Sequence, residues 1–183
     1  LKGGHSAGVG NGKANALVAV ANAVLALDQA GVDVNIAAFS GGSANNAIPS
    51  SAKAVVTVKN GDLAAVDEAM QNFAKLFDDA YSAVETDYTF TYGKTDETVS
   101  RVLSGDLSVT LVQLMSTVPN NIHTLLATAS GTESSSNLGT FSLTEDTVTF
   151  TCMMRSSSNY QSQQITMANQ ALSEFSGFSM EVP

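Results

Sequence analysis

The spacing of apolar residues along the chain predicts alternating helices and strands. From about Lys13 to Leu27 the apolar residues recur every three or four positions, which is typical of one buried helix face. A stronger stripe follows Asp62, which is a suitable N-cap, and a last helix is predicted from about Tyr160 to Phe175. Alternating apolar and polar residues predict strands at 34–38, 52–59, 88–92, 124–129, 135–143, 148–155 and 178–182.

The order of these elements predicts the fold class. Residues 95–116 add a helix that Thr95 can cap and Gly105-Asp106 can interrupt, and Glu145-Asp146 is placed to turn two strands into a hairpin. Each half of the chain, approximately residues 1–93 and 94–183, then approximates the split βαβ order of ferredoxin-like folds. We therefore expect an α+β fold with two ferredoxin-like halves and an antiparallel sheet whose helices pack on one face.

Composition and charge exclude several classes of partner. The 183 residues are 44% hydrophobic and 14% charged, which fits a globular domain with a real core. Eight Lys and Arg against 17 Asp and Glu give a net charge of −9, which argues against nucleic acid and anionic lipid as partners. No apolar run has the length of a membrane span, so we expect a soluble chain with no membrane partner. The single cysteine, Cys152, fits a reducing compartment and a cytoplasmic location.

The familiar motifs of nucleotide, metal and serine chemistry are absent. The run Gly8 to Ala14 resembles a phosphate loop, but Ala14 stands where the motif needs Ser or Thr after Lys13. His5 and His123 are far apart and belong to no zinc-binding pattern, so no metal site is predicted in this chain. The serine-rich runs lack the GxSxG pattern of a nucleophile elbow.

Three polar residues remain as candidates for function. His5 has glycines close on both sides and no surrounding core pattern, which favours an exposed functional side chain over a merely solvated or buried one. Asn46 lies in a loop between two strands, where it could equally satisfy turn backbone. Arg155 ends a strand, where its guanidinium could bind a carboxylate through two hydrogen bonds or simply lie on the surface.

Several short segments, taken in order, resemble a known family. They are Leu1-Lys2-Gly3-Gly4-His5-Ser6, Gly12-Lys13-Ala14-Asn15-Ala16, Gly41-Gly42 with Asn46-Ala47-Ile48-Pro49, Pro119-Asn120, Glu133-Ser134-Ser135-Ser136-Asn137-Leu138 and Arg155-Ser156-Ser157. Together they resemble the lid, or dimerisation, domain of the dinuclear-zinc aminoacylase and carboxypeptidase superfamily, most closely that of aminoacyl-histidine dipeptidases. The resemblance spans nearly the whole chain.

The resemblance implies roles for individual residues. His5 matches the lid histidine that polarises the scissile carbonyl and stabilises the oxyanion. Asn46 and Asn137 match asparagines at or near the substrate, and Arg155 matches the arginine that holds the C-terminal carboxylate of the peptide. His123 falls where relatives vary and has no assigned role. The compact loop after His5 lacks the proline or second histidine of some relatives, so the dipeptide is not specified.

The resemblance also implies a larger protein. In this family the zinc ligands and the glutamate base lie in a separate catalytic domain, so residues 1–183 would be a lid and dimerisation domain without that catalytic domain. The first lid strand would precede Leu1. We expect a cytosolic zinc dipeptidase acting on short peptides, with a possible homodimer, and an isolated chain that is inactive. The alternative is a non-enzymatic α+β domain for self-association or binding.

Overall fold

The computed structural model describes residues 1–6, 12–128 and 130–182, so most of the glycine-rich run before the first helix lies outside the described residues. The helices within this part are α1 (Ala16–Gln29), α2 (Leu63–Tyr81), α3 (Gly105–Thr117) and α4 (Asn159–Phe175), and a short 3-10 helix, Asn60–Asp62, precedes α2. The strands are β1 (Gly4–His5), β2 (Asn35–Gly41), β3 (Ala47–Ile48), β4 (Ala52–Thr57), β5 (Asn121–Leu125), β6 (Thr132–Leu143) and β7 (Val148–Ser156).

The long strand β6 organises the main sheet. It pairs along its length with β7, and its other edge pairs with β5 near its start and with β2 at Phe141. Strand β4 extends the sheet beyond β2, and all of these pairings are antiparallel. The predicted hairpin is confirmed, because the Thr144 N–H donates to the Thr147 carbonyl across the turn at Glu145-Asp146. Strands β1 and β3 form a separate two-stranded antiparallel pair.

The core lies between α1, α3 and the main sheet. Leu17 of α1, Leu111 and Met115 of α3, Ile36 of β2 and Leu138 of β6 are all completely buried in one apolar cluster. Burying a side chain of this size stabilises the fold by roughly 1.5–3 kcal/mol relative to leaving it in water. The predicted α+β class, with an antiparallel sheet and helices packed against it, is confirmed.

The start of α1 differs from the predicted one because of local capping. Helix α1 begins at Ala16 rather than at Lys13, since the Asn15 side chain accepts the N–H groups of Leu17 at 3.0 Å and Val18 at 3.3 Å. Asp62 directly precedes α2 as predicted, but its side chain makes no capping hydrogen bond.

The predicted strand 88–92 is wrong, and the helix predicted over residues 95–116 is found only in its second part, from the predicted break at Gly105 onward. Residues 88–104 have no regular secondary structure, and α3 begins only at Gly105, where Ser104 accepts the Leu107 N–H at 3.3 Å. The alternation of aromatic residues is real, because the Phe90 ring packs on Phe73 of α2 with centroids 5.3 Å apart. It reflects packing on a helix rather than pairing with a strand.

The predicted strand 178–182 is also wrong, since residues 178–182 form neither helix nor strand. Phe178 instead packs against Phe150 of β7 with ring centroids 6.3 Å apart. The predicted strand 124–129 is found earlier, as β5. Each half of the chain therefore keeps its helices and central strands but lacks the final strand of the split βαβ order.

Candidate functional site

His5 lies on the short strand β1, where its side chain is exposed. His5 pairs with Ala47 of β3, and the Ser6 N–H donates to the Asn46 carbonyl at 2.9 Å. Gly3 allows the chain to pass close to Ser50 on its way into the pair of β1 and β3. Its φ is +58°, and a Cβ on it would lie 2.7 Å from the Cβ of Ser50. We call residues 1–6 together with residues 45–50 the histidine arm.

Asn137 lies beneath the histidine arm and holds it to the main sheet. Its side chain is 1% exposed, and its amide nitrogen donates to the carbonyls of Asn45 at 3.1 Å and Ala47 at 2.8 Å. Gly139 allows the close approach, since a Cβ there would lie 2.5 Å from the Cα of Asn45. The Asn137 amide therefore positions the loop that carries Asn46, whose own side chain is exposed.

Asn137 also belongs to a network of three asparagines, of which Asn15 and Asn137 are buried and Asn120 is half-buried. The Asn15 amide nitrogen donates to the Leu138 carbonyl at 2.8 Å and lies 3.4 Å from the Asn137 amide oxygen and 3.3 Å from that of Asn120. The Asn120 oxygen in turn accepts the Leu138 N–H at 2.9 Å. We call Asn15, Asn120 and Asn137 the asparagine network. It joins the start of α1, the turn before β5 and the middle of β6, which are three of the segments that carry the family resemblance.

Arg155 stands beside this network on the neighbouring strand. It is exposed and pairs with Ser135 of β6, which precedes Asn137 by two residues. Residues opposite each other and residues two apart share one face of a sheet, so Arg155 and Asn137 lie on the same face, about 7 Å apart along the strand direction. Within the described part of the chain the Arg155 guanidinium makes no hydrogen bond or ion pair.

The other histidine, His123, contacts a serine of the neighbouring strand. The Nε2 atom of His123 lies 2.7 Å from Oγ of Ser136, and that hydroxyl also donates to the Pro119 carbonyl. Since the hydroxyl proton is used on Pro119, Nε2 is the donor in the contact with Ser136. Burial lowers the pKa of His123 below its usual value. This shift favours the neutral imidazole in the contact between β5 and β6.

The described residues do not fit a metal ion. Within residues 1–6, 12–128 and 130–182, no three His, Cys, Asp or Glu side chains lie close enough to share one. His5 and His123 lie on different sheets, on β1 and β5. Burial raises the pKa of the Cys152 thiol to about 12, so it stays protonated at neutral pH and is neither a metal ligand nor a nucleophile.

Sequence reasoning missed Glu85, the one acidic residue that is fully buried among those described. Its carboxylate, 1% exposed, accepts the backbone N–H groups of Lys2 and Ala14. Lys13 adds a second contact to the same region, because its Nζ donates to the Gly3 carbonyl at 2.6 Å. Glu85 follows α2 without any local motif, and its partners are distant in sequence, so no pattern could have found it.

No helix in the described part of the chain has the length and apolar character that crossing a bilayer requires.

One part of the chain matches a known family model. Residues 2–85, which contain all of the histidine arm except Leu1, match the model of the peptidase dimerisation domain. The structure as a whole is similar to the crystal structure of aminoacylhistidine dipeptidase from Vibrio alginolyticus, with a TM-score of 0.87 and 26% sequence identity over 97% of this chain. The chain covers 36% of the length of that protein. No curated protein matched the chain.

These findings confirm the resemblance predicted from the sequence. The chain has the fold of a peptidase dimerisation domain, similar to that of an aminoacylhistidine dipeptidase.

Proposed function

We propose that this chain is the lid and dimerisation domain of a cytosolic zinc-dependent dipeptidase of the aminoacyl-histidine type. The catalytic domain of the same polypeptide would hold the zinc, since the described residues of this chain do not fit a metal. One observation carries the proposal: the exposed His5 and the Asn46 loop are held together over the asparagine network. The likeness to a dipeptidase over nearly the whole chain supports it.

His5 would act on the carbonyl of the scissile peptide bond. Its side chain is exposed while its backbone is paired with Ala47, so the imidazole can reach a substrate from a fixed base. An imidazole N–H donates well to a carbonyl oxygen, and this hydrogen bond strengthens as the oxygen gains negative charge in the tetrahedral intermediate. His5 would therefore stabilise the transition state more than the bound substrate.

Arg155 would bind the C-terminal carboxylate of the peptide. The planar guanidinium matches a carboxylate with two parallel hydrogen bonds, and no described residue occupies it in the folded chain. Asn46, exposed on the neighbouring loop, would bind substrate through its amide. Asn137 would act indirectly, because its donors are already used on the carbonyls of that loop. Closure of the lid over the peptide would exclude water from the site.

The assembly is part of the same proposal. A dimerisation domain implies a homodimer in which this fold forms the contact between two copies. The catalytic domain of the same full-length polypeptide would then face the histidine arm and Arg155.

The test is an assay of the full-length protein that contains this chain. We expect hydrolysis of Xaa-His and other dipeptides, loss of activity with a chelator, and recovery when zinc is added. The chain of 183 residues alone should hydrolyse none of them. A full-length protein without peptidase activity that still self-associates in sedimentation would contradict the proposal and favour a non-enzymatic association domain.

A further inference from the structure

We propose that Glu85 is a positioning residue for His5, a proposal that rests on the proposed function. Glu85 follows the last turn of α2, where its own N–H donates to the Tyr81 carbonyl at 2.8 Å. Its side chain binds two other segments of the chain. Oε2 accepts the Lys2 N–H at 2.7 Å, and Oε1 accepts the Ala14 N–H at 3.1 Å.

These two N–H groups lie on either side of His5 in the sequence. Lys2 comes three residues before His5, and Ala14 directly precedes Asn15, the N-cap of α1 and a member of the asparagine network. The Glu85 carboxylate, which follows α2 in the chain, therefore binds both Lys2 and Ala14. These two residues stand before and after His5 in the sequence. The far side of the arm is fastened separately, by the contacts of Asn137 with Asn45 and Ala47.

The chemistry of the contact requires a carboxylate. Only an ionised carboxyl group offers two acceptor oxygens and no donor, whereas a glutamine would turn an NH₂ group toward one of the two backbone N–H groups. Burying a carboxylate is costly unless it is hydrogen-bonded. Among the described residues no Lys or Arg nitrogen lies within ion-pair distance of Glu85, so the two N–H groups are the contacts that offset its burial.

This arrangement predicts a specific kinetic effect. A residue that acts by placing His5 should influence kcat through His5, and it should have little influence once His5 is gone. A residue that only stabilises the fold would lower activity by the same factor whether or not His5 is present. A double-mutant cycle between Glu85 and His5 separates the two cases.

The experiment has two parts. In the 183-residue chain, hydrogen exchange of the Lys2 and Ala14 amides is compared for the wild type, Glu85→Gln, Glu85→Asp and the control Glu68→Gln. Glu68 is exposed on α2, so the control makes the same chemical change on the surface. In the full-length protein, kcat and KM for a dipeptide are measured for the same variants, each with and without His5→Ala.

We expect Glu85→Gln to raise the exchange rate of the Lys2 or the Ala14 amide, whichever faces the new NH₂ group, about 10- to 100-fold, the effect of losing a hydrogen bond to a charged group. It should lower kcat by a similar factor with His5 present and by less than about twofold in the His5→Ala background. Glu85→Asp, which keeps both acceptors on a shorter side chain, should fall between the wild type and Glu85→Gln. Glu68→Gln should match the wild type in both assays.

The outcomes separate this proposal from the proposed function. If His5→Ala leaves kcat unchanged, the role of His5 is wrong, whatever Glu85 does. If His5→Ala lowers kcat but Glu85→Gln behaves like Glu68→Gln, or lowers kcat equally in both backgrounds, the positioning role is overturned. If Glu85→Gln does not fold, the same comparison is made with Glu85→Asp, and equal losses in both backgrounds overturn the role.

Discussion

The histidine arm and residues 88–104 both lack long helices and strands, and they are held in different ways. The histidine arm is anchored by two buried side chains: Asn137 donates to the carbonyls of Asn45 and Ala47, and Glu85 accepts the N–H of Lys2. The segment of residues 88–104 is anchored mainly at the surface. The comparison shows that an irregular segment can be held in place when buried side chains supply the hydrogen bonds that a neighbouring strand would otherwise supply.

The surface contacts of residues 88–104 are of a weaker kind. The Tyr92 hydroxyl donates to Asp67 at 2.6 Å, and Tyr88 donates to Asp78 at 3.0 Å, both in exposed positions. The hydrogen bond with Asp67 raises the pKa of Tyr92, because the hydroxyl proton is held by an acidic partner. The ion pair of Arg101 with Glu145, at 3.4 Å, is also exposed. Contacts of this type contribute little to stability because water competes for them.

The largest expected effect belongs to the exposed tip of the histidine arm. Replacing His5 by Ala in the full-length protein should lower kcat about 10²- to 10³-fold, because an oxyanion donor acts mainly in the transition state. His123→Gln is the matched control, since it keeps a donor toward Ser136 and should leave kcat unchanged. Steady-state kinetics on a dipeptide checks both, and equal kcat values for His5→Ala and the wild type would exclude this role for His5.

The next effect tests the buried anchor of the arm. Asn137→Ala should lower the free energy of unfolding by roughly 3 kcal/mol, because it leaves the carbonyls of Asn45 and Ala47 without their buried donor. Urea unfolding of the chain measures this difference. Asn22→Ala on the exposed face of α1 is the control and should cause no loss, since Ala favours the helix. Equal stability of the Asn137 and Asn22 variants would show that the asparagine network does not hold the arm.

The next prediction tests whether Arg155, on the sheet face beside the histidine arm, binds the substrate carboxylate. Arg155→Ala in the full-length protein should lower kcat/KM about 10- to 100-fold, mostly through KM, because a substrate carboxylate is bound in the ground state and transition state alike. Arg155→Lys should recover only part of the loss, since an ammonium group cannot form the two-point contact. Arg101→Ala, the matched change in the segment of residues 88–104, should leave KM unaltered. A KM for Arg155→Ala equal to that of the wild type would contradict the assignment.

The smallest effect is expected in the surface-held segment itself. Tyr92→Phe removes the hydrogen bond to Asp67 and keeps the ring, so the midpoint of urea unfolding should not change measurably. The pH titration of tyrosine absorbance provides a second measurement. Because the contact with Asp67 raises the pKa of Tyr92, its loss should remove one late-titrating tyrosine from the profile. A clear loss of stability would show that this segment is held more firmly than its exposed contacts indicate.

The local pattern of the sequence predicted the elements whose signals lie within a few residues of each other along the chain. Helix α4, the hairpin of β6 and β7 and the α+β class all follow from apolar spacing and turn residues, which act over a few positions. The short motifs also predicted the family likeness, and the structure shows why several of them are needed together. Asn15, Asn120 and Asn137 meet in one network.

Only the tertiary structure decided how these pieces are joined. An alternating pattern indicates which side chains are buried, but it does not indicate which element buries them. Residues Tyr88 to Tyr92 therefore matched the pattern of a strand, although they pack on α2. In the same way, the sequence could not indicate that the Asn137 amide turns inward to the arm or that Glu85 joins Lys2 to Ala14. Hydrogen bonds between residues 71 to 90 positions apart leave no periodic trace, because their geometry exists only once the core has brought the segments together.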